Sequence, residues 1–360
     1  VNAAATRPAK SADRYRWMDL ARGLAIVLVI IVHAGSIWAQ FGFELPGWMR
    51  AIGLAMAPYR IPVLMFLSGI LLDRSLRKGL GQFIYGKARN ILWPYVIWTI
   101  VYCLSIGEPA KLLGTVWGGA SYLWYMLFLG LYFAAAIFVA RVPHWIVAFY
   151  AIALSALMPD GTKYGERLFV LMGFFFFGAF VGQHLEKFTQ ALASRWTLAL
   201  VPLAIGLSVA SATLGALNYS PLYAVIILPS IAGICALLYH FQDAALLRPL
   251  QFVGRRSVVY YVMHVPIYLV AMDLMVKSGV VDTYTVILVS LALGIAIPTL
   301  FARAMDHSRA VSLLFAAPDV ISFEKETRAR RVSDFLDRLK LLPSSPGKTA
   351  HAEQGRHPVS

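Results

Sequence analysis

The chain has 360 residues, of which 59% are hydrophobic and only 14% charged, with a mean hydropathy of +0.68. A soluble domain carries about 25% charged residues, so a water-soluble fold of this make-up would be nearly all core; disorder, a disulfide-rich scaffold and a coiled coil are excluded by the same figures. The 32 Lys and Arg outnumber the 18 Asp and Glu, yet they fall between long apolar segments rather than along one polar domain, which points to a bilayer and not to nucleic acid.

A bilayer-spanning helix needs about 20 apolar residues. Ten such stretches occur, at roughly 20–40, 51–72, 90–107, 121–140, 144–158, 167–184, 197–214, 222–240, 257–275 and 283–303. The fifth is short and the eighth contains Pro229. The expected fold is therefore an all-α polytopic membrane protein of about ten transmembrane helices. No cleavable leader is expected, because the first apolar stretch is too long for a signal-peptide core.

Orientation follows from the cations. With the N-terminus in the cytoplasm, 26 of the 32 Lys and Arg lie on the inner side, leaving Arg50, Arg60, Lys111, Lys163, Arg167 and Lys277 outside. This is the bias the positive-inside rule describes, and it predicts that both termini are cytoplasmic. Residues 1–19 then form an N-terminal tail, 20–303 the transmembrane domain and 304–360 a basic tail. Within that tail Val332, Phe335, Leu336, Leu339 and Leu342 recur at helical spacing among Arg328, Arg330, Arg331, Arg338 and Lys340. They predict an amphipathic helix over about 320–342 lying on the anionic inner leaflet.

An ionisable side chain inside a span is costly unless it is paired or faces a cavity, so each one is a functional candidate. The first span carries Asp19, Arg22 and His33. Asp19 and Arg22 are three apart and can pair on one face. Arg22 and His33 are eleven apart, which places them about 20° from eclipsed and about 16 Å apart along the axis. Arg22 then stands at the cytoplasmic mouth with His33 deep in the membrane, where imidazole is the side chain best suited to proton transfer or acyl acceptance.

In the second span Pro58 and Pro62 flank Arg60, and the carbonyls they free are tolerable only beside protein or a cavity. Arg74, Arg77, Lys78, Lys87 and Arg89 follow within sixteen residues. The positive-inside rule alone explains such a cluster, and so does an anion clamp beside Arg22. Cys103 and Cys235 lie in apolar runs without CxxC or Cys/His spacing, so free packing thiols are expected, with no metal site and no disulfide. Glu166, Arg167, Asp273 and Asp282 are expected to be solvated at the outer edges, and His144, His184, His240 and His307 to be interfacial at span ends.

These residues resemble the acyltransferase 3 family of integral membrane acyltransferases. The matching pieces are Trp17-Met-Asp19-Leu-Ala-Arg22-Gly23 running to His33, Arg60-Ile-Pro-Val-Leu-Met-Phe66-Leu67-Ser68-Gly69, and Asn90-Ile-Leu-Trp93-Pro94-Tyr95. Leu123-Trp124-Tyr125, Phe174-Phe-Phe-Phe-Gly178 and Gly254-Arg-Arg-Ser257 through Tyr260-Tyr261-Val-Met-His264 follow in the family's order. The run Leu64-Met65-Phe66-Leu67 replaces the two or three phenylalanines usual before Ser-Gly, a conservative apolar change.

The resemblance implies transfer of an acyl group, by default acetyl, from cytoplasmic acyl-coenzyme A to a hydroxyl of a cell-envelope glycan or glycolipid. No cofactor would be permanently bound, no fused periplasmic domain is expected, and the location would be the inner or plasma membrane. His33 would be the general base or nucleophile, supported by Arg22 and Asp19. Arg74, Arg77 and Arg89 would hold the donor's phosphates, and Arg60, Ser68, Trp124, Tyr261 and His264 would face the substrates. The rival reading is a transporter or flippase, since intramembrane charges and broken helices mark transport paths as well. The two halves of the chain show no such similarity.

Overall fold

The computed structural model describes residues 15–118, 122–159, 164–215, 217, 219–280 and 282–319, and the amphipathic helix expected over about 320–342 lies outside them. Among these residues every regular element is a helix. The first is α1 (Arg16–Gln40), followed by α2 (Gly47–Ala55) and α3 (Ala57–Ile70). Two short helices, Leu72–Leu76 and Leu80–Lys87, lead through a π turn at Ala88–Leu92 into α4 (Trp93–Ser105). Next come α5 (Trp124–Phe138), α6 (His144–Ser155), α7 (Gly165–Gln183), α8 (Val201–Leu214) and α9 (Pro221–His240). Helix α10 (Arg248–Arg255) opens the last group, with α11 (Ser257–Lys277) and α12 (Thr283–Ala304) after it.

Each of the ten apolar stretches carries helix, but not each is a full-length span. Six described segments are long and apolar enough to cross a bilayer: α1, α7, Arg195–Leu214 (a 3-10 turn continued by α8), α9, α11 and α12. A seventh is the pair α2 and α3, bent by 40°. Helices α4, α5 and α6 have 13, 15 and 12 residues. At 1.5 Å per residue even α5 covers only about 22 Å, less than the roughly 30 Å of hydrocarbon. Hydropathy counts apolar side chains whether or not the helix continues beneath them, so it does not fix the length of these three.

The bend falls at Met56, which is at once the C-cap of α2 and the N-cap of α3. Pro58 follows in the first turn of α3, where no N–H is needed. The break leaves Arg60 in that same first turn. His144, expected at the interface, is instead buried at 3% exposure because α6 packs on α7. Its Nε2 lies 2.8 Å from Asp73 Oδ1 and its ring 6.0 Å from Phe176. Burial pushes the Asp73 carboxyl up, but hydrogen bonds from His144 and Gln183 and the Arg77 charge outweigh it and hold the group below the ordinary carboxylate range. Asp282 is exposed as expected, and there it caps α12 by accepting the Thr285 N–H at 2.8 Å.

Two helix pairs meet backbone to backbone. A Cβ at Gly23 would lie 2.1 Å from Leu250 O and one at Gly254 1.8 Å from Asp19 O, so α1 and α10 interlock through reciprocal glycines. Likewise a Cβ at Gly69 would lie 1.8 Å from Phe175 O, and one at Gly178 2.1 Å from Phe66 O, which joins α3 to α7. Small residues permit this approach in lipid, where close packing rather than water exclusion drives association. Gly69→Ala should therefore cost about 1–3 kcal/mol of overpacking. Gly86→Ala, with nothing within 4 Å of its Cβ, should gain up to about 1 kcal/mol of helix propensity. Thermal unfolding in detergent followed by size-exclusion chromatography reads both; a Gly69→Ala protein that melts with the wild type would refute the close approach.

Candidate active site

Helix α1 delivers His33 and helix α11 delivers His264 to one place. Their ring centroids are 5.0 Å apart at 68°, edge to face. Both rings are anchored in the same way. His33 Nδ1 lies 2.9 Å from Val29 O, and His264 Nδ1 lies 3.1 Å from Tyr260 O, four residues earlier in each helix. A carbonyl can only accept, so each neutral ring carries its proton on Nδ1 and presents a bare Nε2. His264 is fully buried, and its Nε2 has no hydrogen-bond partner among the described residues. His33 is half-buried.

Tyrosines wall the pair. Tyr122, Tyr261 and Tyr268 approach His264 at ring distances of 5.5, 6.0 and 6.0 Å, and Tyr125 meets Tyr261 at 5.3 Å. Three of the hydroxyls are spent on backbone: Tyr122 donates to Val262 O at 2.7 Å, Tyr261 to Tyr122 O, and Tyr268 to Ile30 O at 3.3 Å. Ser68 donates its proton to Leu64 O at 2.7 Å, and its oxygen lies 3.4 Å from the Tyr125 hydroxyl. Among the described residues Ser68 has no hydrogen bond to a histidine or carboxylate. Arg22, half-buried on α1, is near enough to act on Tyr125 electrostatically, while Asp19 is buried one turn earlier.

The cations expected at the inner mouth separate. Arg74 and Arg77 are both exposed, and neither is in an ion pair among the described residues. Arg89 is engaged by the segment after α12: its Nε donates to Ala317 O at 2.6 Å, and a terminal nitrogen lies 3.5 Å from Asp319. Trp93 and Trp98 hold the same segment through Leu313 O and Leu314 O at 2.7 and 2.9 Å. Lys87 sits 3.7 Å over the Phe133 ring, and burial together with Lys78 pushes its ammonium down to about 8.

On the opposite side, Arg60 acts electrostatically on His33 and on Tyr219. Arg167, expected to be solvated, is half-buried instead. Its guanidinium lies 4.4 Å from the Tyr219 ring, 4.8 Å from Trp124 and 5.9 Å from Tyr164. Its Nε is buried without an acceptor among the described residues. One arginine near a span boundary looks ordinary in sequence. The available signal was an aromatic residue standing at or just before the start of three separate helices.

A family model described as an acyltransferase domain, Acyl_transf_3, matches residues 15–303. Comparison with curated proteins and with solved structures gives no match.

The anchoring of the rings can be read directly. In protein labelled with ¹⁵N-histidine and held in detergent near pH 8, the His33 resonances, assigned by their loss in His33→Asn, should show a protonated Nδ1 and a bare Nε2. A proton found on Nε2 would remove the base from this site.

Proposed function

The chain belongs to the acyltransferase 3 family, and from that premise we propose that it transfers an acyl group from cytoplasmic acyl-coenzyme A to a hydroxyl of a cell-envelope glycan or glycolipid. Acetyl is the default acyl group, and no resident cofactor takes part. The observation that carries this reading is the bare Nε2 of His33, half-buried beside a second imidazole. As a base, Nε2 takes the hydroxyl proton while the oxygen adds to the thioester carbonyl. The adduct then collapses with loss of the C–S bond, and the imidazolium returns its proton to the thiolate, giving an ester and free coenzyme A. As a nucleophile, the same nitrogen first forms an acyl-imidazole with loss of the thiol and then passes the acyl group to the hydroxyl.

Arg22, Arg74 and Arg77 are the guanidinium groups that would hold the donor's phosphates, which they suit by bidentate hydrogen bonding. The reading takes the ten apolar stretches to enter the bilayer in alternation, with both termini inside and the inner or plasma membrane as the setting, and two features support the alternation. Each apolar stretch carries helix. The starts of α5, α7 and α9 also gather around Arg167, as alternate spans must if all three enter from one side.

Sealed vesicles bearing the purified protein, given acetyl-coenzyme A on the cytoplasmic face alone, should release coenzyme A on that face. Acylated glycan should form when acceptor is supplied on the other side. His33→Ala should lower the rate about 10²-fold or more, the usual contribution of a positioned acid–base group. An acceptor that crossed unmodified while the thioester stayed intact would replace the enzyme with a flippase. A His33→Ala rate above about a tenth of wild type would remove the imidazole from the chemistry.

A further inference from the structure

Arg60 and Arg167 lie on the side where the positive-inside rule leaves few cations. Each starts a helix: Arg60 stands in the first turn of α3 and Arg167 in the first turn of α7. Tyr219 links them, 4.4 Å from the Arg167 guanidinium and close enough to Arg60 to act on its charge. Neither arginine is in an ion pair with a carboxylate among the described residues. Burial of a guanidinium without a counter-ion is expensive, so the site must either recover that cost from a ligand or hold the group by other means.

The aromatic rings are those other means, and they leave the hydrogen-bonding edge unused. Trp124 and Tyr219 approach Arg167 at 4.8 and 4.4 Å to its central carbon. Cation–π contact of this kind stabilises the charge through the ring quadrupole. It uses the delocalised surface of the guanidinium and none of its five N–H donors. The buried Nε has no acceptor among the described residues. A guanidinium fixed by aromatic rings with free donors at its edge fits a carboxylate or phosphate, which takes two parallel N–H bonds. The helix starts add partial positive charge to the same place.

We propose that Arg60, Arg167, Trp124 and Tyr219 form an outer subsite for a sugar ring bearing a negative charge, either a carboxylate or a phosphate. Arg167 grips the anion. Arg60, in the first turn of α3, adds a second guanidinium, and the aromatic residues offer apolar surface to the ring's C–H face. That the occupant is the acyl acceptor rests on the acyl-transfer reading; that the subsite binds an anionic pyranoside does not.

The test contains no acyl donor, so it fails or succeeds apart from that reading. Protein in lipid nanodiscs is titrated calorimetrically, with empty discs as the blank, using octyl glucoside, octyl glucuronide and octyl glucoside 6-phosphate below their micellar concentrations. The charged probes should bind at least about tenfold more tightly than the neutral one, the worth of one good charge-assisted contact. Arg167→Gln and Arg60→Gln should each erase most of that preference, while Glu166→Gln, at an exposed neighbour, should keep it. Preference for the glucuronide assigns a carboxylate source, and preference for the phosphate a phosphorylated one. If Arg167→Gln does not fold, Arg60→Gln and the loss of preference in high salt read the same interaction. Equal binding of all three probes, or a charge preference that survives both arginine substitutions, overturns the proposal.

Discussion

Contact between backbones, without side chains between them, sets the positions of everything in the site. Gly23 against Leu250 and Gly254 against Asp19 fix α1 on α10, in the turn that carries Arg22. Gly69 against Phe175 fixes α3 on α7 one residue after Ser68. Since α10 runs into α11 after Arg256, the first contact also sets the height of His264 relative to His33. A methyl at any of these glycines would have to push a helix pair apart, and rings whose centroids are 5.0 Å apart tolerate little added separation. The glycines that recur in the sequence motifs are thus explained by distance and not by chemistry.

Within the frame so fixed, polar groups are satisfied almost entirely by backbone. Lipid offers no competing water, so a hydroxyl or ring N–H that finds a carbonyl keeps it. Tyr59 donates to Ala204 O at 2.7 Å, and Tyr122, Tyr261 and Tyr268 do likewise around the imidazoles. Each histidine spends its own N–H on its own helix. The wall therefore offers little competing reactivity, and the unspent groups at its centre are two imidazole nitrogens. Tyrosines thus crowd the site with hydroxyls already committed to backbone carbonyls. They supply rigid apolar bulk and cross-helix ties, as Tyr122 and Tyr261 do between α11 and the residues before α5.

Much of this was legible in sequence, and what escaped did so for physical reasons. The periodicity of α1 places Arg22 and His33 on one face because a continuous helix has a fixed repeat, and α1 is continuous from Arg16 to Gln40. The all-helical fold followed from composition. The number of full-length spans did not, because neither the π turn before Trp93 nor the break at Met56 changes hydropathy. His144 looked interfacial since it opens a short apolar stretch, yet its partner Asp73 stands 71 residues earlier, a pairing that local pattern cannot see. Arg89 looked like one more inner cation, and its tie to Ala317 spans an even longer separation.

The arginines show best how a general rule and a particular site divide the same residue type. On the inner side cations are expected wherever loops occur, so Arg74 and Arg77 say little by being there, and a role for them must come from geometry. On the outer side the rule predicts scarcity, and an arginine there requires its own reason. Lys111 and Lys277 have a simple one, exposure beside Glu108 and Asp273 respectively. Arg60 and Arg167 do not: they are half-buried and set at helix starts, neither is paired with a carboxylate among the described residues, and Arg167 is held by aromatic rings. A cation kept out of water without an anion is stable only while something else replaces hydration. Aromatic faces do so while leaving the donors open, and that is the arrangement a reversible anionic ligand needs, because a resident carboxylate would compete with it at every cycle.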